Sequence, residues 1–325
     1  MSKDEYLITD APLKALTVFA MPMILGSFFQ QVYNMADSII VGQFVGSSAL
    51  AAVGACAALT NVFICVALGA GVGAGVLVSR YFGAQNYSKM KTIVSTSLIS
   101  FLILSILLGV FGFCFSHFMM SLLQTPADIL EEAVLYLRVY FVGFPFLFMY
   151  NILSTMFTSI GESKIPLGLL IFSSVLNIFM DLWMVAGLGL GVFGAALATL
   201  IAQGISAVCC LIYIIKRFPI LHLERKNFEI SWDSFARLLK LGIPMGLQYS
   251  ITAIGTMMVQ SALNMLGSYA VAAFTAGSKI EQIFTQAFVA QGTASATYNA
   301  QNIGAGKKER AWKGFYTAII TGCSV

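Results

Sequence analysis

Two short stretches decide the fold: GSSALAAVGA at residues 46–55 and GSYAVAAFTA at residues 267–276. They stand 221 residues apart, and Gly46, Ser47, Ala49, Ala51, Ala52 and Ala55 recur as Gly267, Ser268, Ala270, Ala272, Ala273 and Ala276. The same shift carries Phe63 onto Phe284 and Gly71 onto Gly292. It carries the turn YFGAQNYSKMK (81–91) onto NIGAGKKERAW (302–312), so that Gly83-Ala84 recurs as Gly304-Ala305. With one residue of slip, MPM at 21–23 meets IPM at 243–245. A match that keeps register, turn and basic loop together is an internal repeat.

The residues around these stretches are membrane residues. The chain is 58% hydrophobic and 10% charged, where a soluble domain carries roughly 25% charged residues. Apolar segments lie at 15–41, 49–78, 93–116, 133–157, 166–187, 190–215, 238–266 and 270–299, and a ninth starts near Ala311. Most exceed the ~20 residues that a helix needs to cross the hydrocarbon. Strong two-residue alternation is absent, which argues against an outer-membrane barrel. The start, MSKDEYLITDAPLK, carries Asp4, Glu5 and Asp10 and does not read as a cleaved signal, so the first span is expected to stay in the membrane.

Sixteen of the 18 Lys and Arg residues fall at the N-terminus or in alternate loops (2–3, 4–5, 6–7 and 8–9), all on one side of the expected bundle. The exceptions are Arg138 and Lys279. The opposite loops include QTPADILEE, with Asp128, Glu131 and Glu132. The positive-inside rule then predicts a cytoplasmic N-terminus. This basic charge is a topology signal, and no nucleic-acid partner is expected.

Each repeat unit holds six spans, an even number, so the second copy enters the membrane the same way round as the first. The fold expected is an all-α integral membrane protein of two parallel six-helix repeats, a pattern of secondary transporters. Twelve spans are expected in a complete protein, with eight complete spans and part of a ninth here. Residues 1–217 form the expected N-terminal lobe, 218–237 a cytoplasmic linker, and 238–325 an incomplete C-terminal lobe. The natural protein is expected to be longer, or else this product is truncated and transport-incompetent.

Polar residues form stripes inside the apolar spans. Gln30, Asn34 and Asp37 share one helical face; so do Ser174, Asn177 and Asp181, and Thr199, Gln203 and Ser206. Carboxylates facing lipid are costly, so these stripes are expected to point into one interior cavity. Two carboxyls close together cannot both ionise cheaply, so such a pair can carry a proton. Asp37, Asn177, Asp181 and Thr199 also offer the oxygen ligands that a hard cation such as Na⁺ prefers. The alternative is that the acids only hold helices together through hydrogen bonds. Pro22, about four turns before Asp37, permits a kink and is a candidate hinge.

Other features read more plainly. GAGVGAG at 69–75 lacks the strand and acid of a nucleotide loop, and its small residues suit close helix packing. Tyr136 and Tyr140 stand at i, i+4 and are candidates for lining the cavity, or anchors at an interface. Glu281 is a candidate for attracting a cationic substrate, or a partnered structural charge. The six cysteines lie in or beside apolar spans without metal-ligand spacing and read as buried hydrophobes. No HExxH, no nucleophile set beside a histidine and no Walker loop is present. The protein is therefore expected not to be an enzyme, to need no cofactor, and to draw energy from an ion gradient.

The segments MPMILGSFFQQVYNMADSIIVGQFVG, YFGAQN, GESKIP, SSVLNIFMD, GVFGAALAT and IPMGLQ resemble the multidrug and toxic compound extrusion (MATE) transporters. The resemblance covers essentially the whole chain. It implies an antiporter in the bacterial cytoplasmic membrane with two six-helix lobes around a cleft. Such an antiporter exports amphipathic or cationic compounds against inward H⁺ or Na⁺ by alternating access. In a branch similar to the DinF-like proteins, the motif maps onto Asp37, Asn177, Asp181 and Thr199, with Tyr136 nearby. Another branch adds an acid in helix 7; here Thr252 takes that place, and Gln248 is a further cavity candidate. A lipid-linked oligosaccharide flippase of the same superfamily is the alternative within transport, and a monomer is expected.

Overall fold

In the computed structural model, residues 5–123, 125–218, 220–221, 231–264 and 268–323 are described. They form helices α1 (Tyr6–Thr9), α2 (Pro12–Phe44), α3 (Ser47–Gly83), α4 (Tyr87–Leu122), α5 (Ala127–Val142), α6 (Phe144–Ser159), α7 (Lys164–Asp181), α8 (Gly191–Arg217), α9 (Trp232–Asn264), α10 (Ser268–Gly304) and α11 (Lys308–Cys323). A π-helical turn, Leu182–Gly187, extends α7. There is no strand among the described residues, so the all-α expectation holds.

By length and apolarity, α2, α3, α4, α7 with its π turn, and α8 can each cross a membrane. The fourth expected span is not one helix: α5 and α6 meet at a 49° bend, where Gly143 is followed by Pro145 at the start of α6. Proline removes a backbone donor and fixes φ, which suits a helix start rather than a helix middle. The pair makes a sixth span if counted together. Helices α9 and α10 stand where the seventh and eighth spans are expected and are 33 and 37 residues long. They are more polar than α2–α8, with Gln248, Thr252 and Thr256 in α9 and Gln282, Gln286 and Gln291 in α10. The expected linker falls partly outside the described residues, and α9 starts at Trp232, so the boundary at residue 238 lies inside a helix.

The repeat persists in three dimensions. Helices α3 and α10 are each 37 residues long, running from Ser47 to Gly83 and from Ser268 to Gly304. Each ends in the same turn, with a left-handed residue at the same place: Gln85 at φ 54° and Gly306 at φ 74°. The ends of the two helices cross. A Cβ on Gly83 would stand 2.6 Å from the carbonyl carbon of Gln301, and one on Gly304 would stand 2.9 Å from that of Arg80. Since Arg80 and Gln301 are themselves 221 residues apart, the two contacts are copies of each other about the repeat axis.

The glycine run packs on two sides of α3. Gly69 and Gly73 face α9, where added Cβ atoms would lie 2.8 Å from Met245 C and 2.8 Å from Gly242 N. Gly71 and Gly75 face Thr155 of α6. Dispersion falls steeply with separation, so this small-residue seam lets backbones meet where lipid supplies no hydrophobic drive. Aromatic rings fill the centre of the N-terminal helices. Phe63, Phe141, Phe144 and Phe148 make edge-on and tilted contacts at centroid distances of 4.8–5.7 Å.

The segment before α2 and the turns after α3, α6 and α10 meet at one end. There Tyr6 Oη donates to Gly161 O at 2.9 Å, Gln85 Nε2 to Glu5 Oε1 at 3.2 Å, and Lys307 Nζ to Ile8 O at 3.1 Å. Gln301 Nε2 and Ser79 Oγ, from opposite halves of the chain, both donate to Ser159 O, at 2.8 and 3.0 Å. The segment Leu7–Asp10 is held from the far end of the chain. Asn302 Nδ2 donates to Leu7 O at 3.0 Å, and Arg310 donates to Leu7 O and Asp10 O.

Candidate functional site

Four N-terminal helices bring polar groups to one buried place. Helix α2 supplies Asp37, α7 supplies Asn177 and Asp181, α8 supplies Thr199, and α5 supplies Tyr136 and Tyr140. Ser174, Asn177 and Asp181 share a face because they are separated by three and four residues. All three are buried, and Asp181 is 0% exposed. Asp181 is the last residue of α7 before the π turn, so its carboxyl sits where the helical hydrogen-bond pattern changes.

The carboxyls of Asp37 and Asp181 lie within hydrogen-bonding reach of each other. One oxygen of each, Asp37 Oδ1 and Asp181 Oδ1, is buried without a protein partner among the described residues. Asn177 bridges the acid to α8. With its amide turned to satisfy both ends, Nδ2 donates to Asp181 Oδ2 at 2.8 Å, and Oδ1 accepts from the Thr199 N–H at 3.2 Å and hydroxyl at 3.3 Å. The sequence therefore brings Asp37, Asn177, Asp181 and Thr199 together across three helices.

Tyrosines close this cluster. Tyr136 faces Asp37 and stacks on Tyr140, with centroids 6.2 Å apart and planes at 19°. Tyr33 reaches Thr199 with its hydroxyl and neighbours Asp37, Asp181 and Tyr140. Sequence reasoning missed Tyr33, although it stands one turn before Asp37 at i, i+4. A crevice of about 10 Å³ beside the cluster is lined by Tyr140, Thr199 and Gln203 among others, roughly the space of one water.

The remaining candidates lie apart. Gln30 and Asn34 are exposed on α2, Gln248 is exposed on α9 and Glu281 on α10. Pro22 is buried inside α2, which is helical on both sides of it. A second opening of about 320 Å³ lies between α2 and α10, lined by Leu25, Phe28, Gln31, Phe284 and Gln286 among others.

The donor set is all oxygen apart from the Asn177 nitrogen, and two carboxyl oxygens lack partners. Oxygen ligands suit a hard monovalent cation, and two carboxyls in contact suit a shared proton. The residues fit either ion.

The MatE family profile matches residues 22–183 and 244–325. The two matched stretches begin at Pro22 and Pro244, the same place in each repeat. A probable multidrug resistance protein of Bacillus subtilis, YpnP, is 32% identical over 302 residues, covering 92% of this chain and 66% of that one. The multidrug export protein MepA of Staphylococcus aureus strain MRSA252 is 27% identical over 287 residues, covering 86% and 63%. The chain thus spans just under two thirds of these relatives' length. A solved structure described as the outward-facing conformation of a multidrug resistance MATE family transporter of the MOP superfamily aligns with a TM-score of 0.93 at 25% identity. That alignment covers 99% of this chain and 71% of the other. With more than half of its residues inside the profile and both repeats matched, this chain belongs to the MatE family of multi-pass membrane transporters.

Proposed function

We propose that the protein is a secondary multidrug efflux antiporter that exchanges amphipathic or cationic compounds for inward H⁺ or Na⁺ by alternating access. The observation that carries this reading is the pair Asp37 and Asp181, in reach of each other inside the N-terminal helices, each with one unpartnered oxygen. The names of the relatives support the substrate class.

Asp37 and Asp181 hold the ion, Asn177 orients Asp181 and ties it to Thr199, and Tyr33 and Tyr136 shield the site. Tyr140 and Gln203 border the crevice that leads to it. Pro22 permits helix α2 to bend when the charge at Asp37 changes. Exchange requires that ion and substrate prefer different states of the cleft or compete for one of them, because equal affinity for both states shifts nothing. The basic loops mark the cytoplasmic end, so the N-terminus is inside and the ion enters from the opposite face of the bacterial inner membrane. The working unit is a monomer.

The test is efflux of a fluorescent lipophilic cation from energised cells that express the protein. Asp37→Asn is expected to abolish gradient-driven efflux at normal expression, and unchanged efflux would sink the ion-site assignment. Replacing Na⁺ by choline at fixed pH separates the ions: lost efflux means Na⁺ coupling, and retained efflux means H⁺.

A further inference from the structure

We infer that Arg138 forms, with Ser116 and the ring of Phe113, a binding site for the phosphate of an anionic lipid in the leaflet opposite the basic loops. Arg138 breaks the charge pattern of the chain. The loop assignment read from the sequence puts sixteen of the 18 basic residues at the opposite end, and Arg138 is one of the two exceptions. It is exposed, and its surroundings are lipid-facing: Phe113 is 45% exposed, Leu135 44% and Val142 54%.

The guanidinium has no carboxylate partner among the described residues. Glu131 shares its face of α5 two turns nearer the helix start, yet makes no ion pair with it. Instead Arg138 Nε donates to Ser116 Oγ at 3.2 Å, and its central carbon stands 5.6 Å from the centroid of the Phe113 ring. Ser116 is 0% exposed, and its hydroxyl is fixed by donating to Phe113 O at 3.1 Å. The Nε edge and one face of the guanidinium are thus occupied. Its two terminal nitrogens keep their N–H groups, pre-set as a fork for a bidentate oxyanion. His117, one turn beyond Phe113 on the same face of α4, is exposed and extends the donor set.

The depth suits a phosphate. Helix α4 has 36 residues, about 54 Å at 1.5 Å per residue. Against ~30 Å of hydrocarbon it overhangs by roughly 12 Å at each end. Ser116 lies six residues before its last residue, Leu122, or about 9 Å from the end. That is the headgroup layer, where the anions at hand are lipid phosphodiesters or dissolved phosphate.

Native mass spectrometry of the full chain, titrated with phosphatidylglycerol against phosphatidylcholine, tests this. The parent is expected to retain phosphatidylglycerol preferentially. Arg138→Ala should weaken that retention at least about fivefold, and Arg138→Lys, which keeps charge but loses the fork, by a smaller factor. Inorganic phosphate at millimolar concentration should compete only weakly. Equal retention by parent and Arg138→Ala overturns the site, and so does phosphate binding without any preference for phosphatidylglycerol. Should Arg138→Ala melt differently from the parent in phosphatidylcholine, Arg138→Lys and Ser116→Ala supply the comparison, with the same two outcomes.

Discussion

Gly83 and Gly304 occupy the same position in two helices that cross at their ends, and each lies against the backbone of the helix that carries the other. Neither site has room for a methyl group. Gly83→Ala and Gly304→Ala are each expected to destabilise the protein by about 1–3 kcal/mol, the usual cost of overpacking. The checking measurement is a thermal melt in detergent. Gly54→Ala, where nothing stands within 4 Å of the added methyl, should instead hold or raise the melting temperature.

Gln85 adopts a left-handed conformation that its counterpart meets with Gly306. Non-glycine residues pay roughly 1–2 kcal/mol for that conformation. Gln85→Gly should recover about 0.5–1 kcal/mol of it, less the loss of the exposed bond to Glu5. A lower melting midpoint for Gln85→Gly would contradict this.

Asn302 is buried and donates to both Leu7 O and Tyr298 O. Asn302→Ala should cost about 0.5–1.5 kcal/mol through the loss of buried hydrogen bonds. The effect should be local as well as global. Hydrogen exchange across residues 5–14 is expected to accelerate, while α4 and α5 keep their protection.

Asp37 and Asp181 put two carboxyls in one buried site with an unpartnered oxygen on each. Removing one charge relieves that arrangement, so Asp181→Asn should melt at or above the temperature of the parent while losing efflux. Sites kept for function at a cost in stability behave this way. A variant that both unfolds and loses efflux would mean that Asp181 is structural glue instead.

The repeat, the helical class and the meeting of Asp37, Asn177, Asp181 and Thr199 were legible because each leaves a periodic trace. Residues 221 apart match in identity, and Asp181 repeats the face of Asn177. Two features left fainter marks. The apolar run 133–157 hides the bend at Gly143, because hydropathy does not register a change of direction; the Gly-Phe-Pro sequence was the available signal. On α2, Gln30-Asn34-Asp37 and Tyr33-Asp37 are both sound helical pairings. Packing of α2 against α7 chose the second, and a rotation set by a partner helix cannot be read from one helix alone.

The grip of Asn302, Lys307 and Arg310 on Leu7, Ile8 and Asp10 joins the two extremes of the described chain. During synthesis at about 5–20 residues per second, the first ten residues leave the ribosome some 15–60 s before residue 310. For that interval the segment has none of these three partners. The fastening of this segment is therefore staged: its bonds to Gln85 and Gly161 can form early, and those to Asn302, Lys307 and Arg310 only near the end.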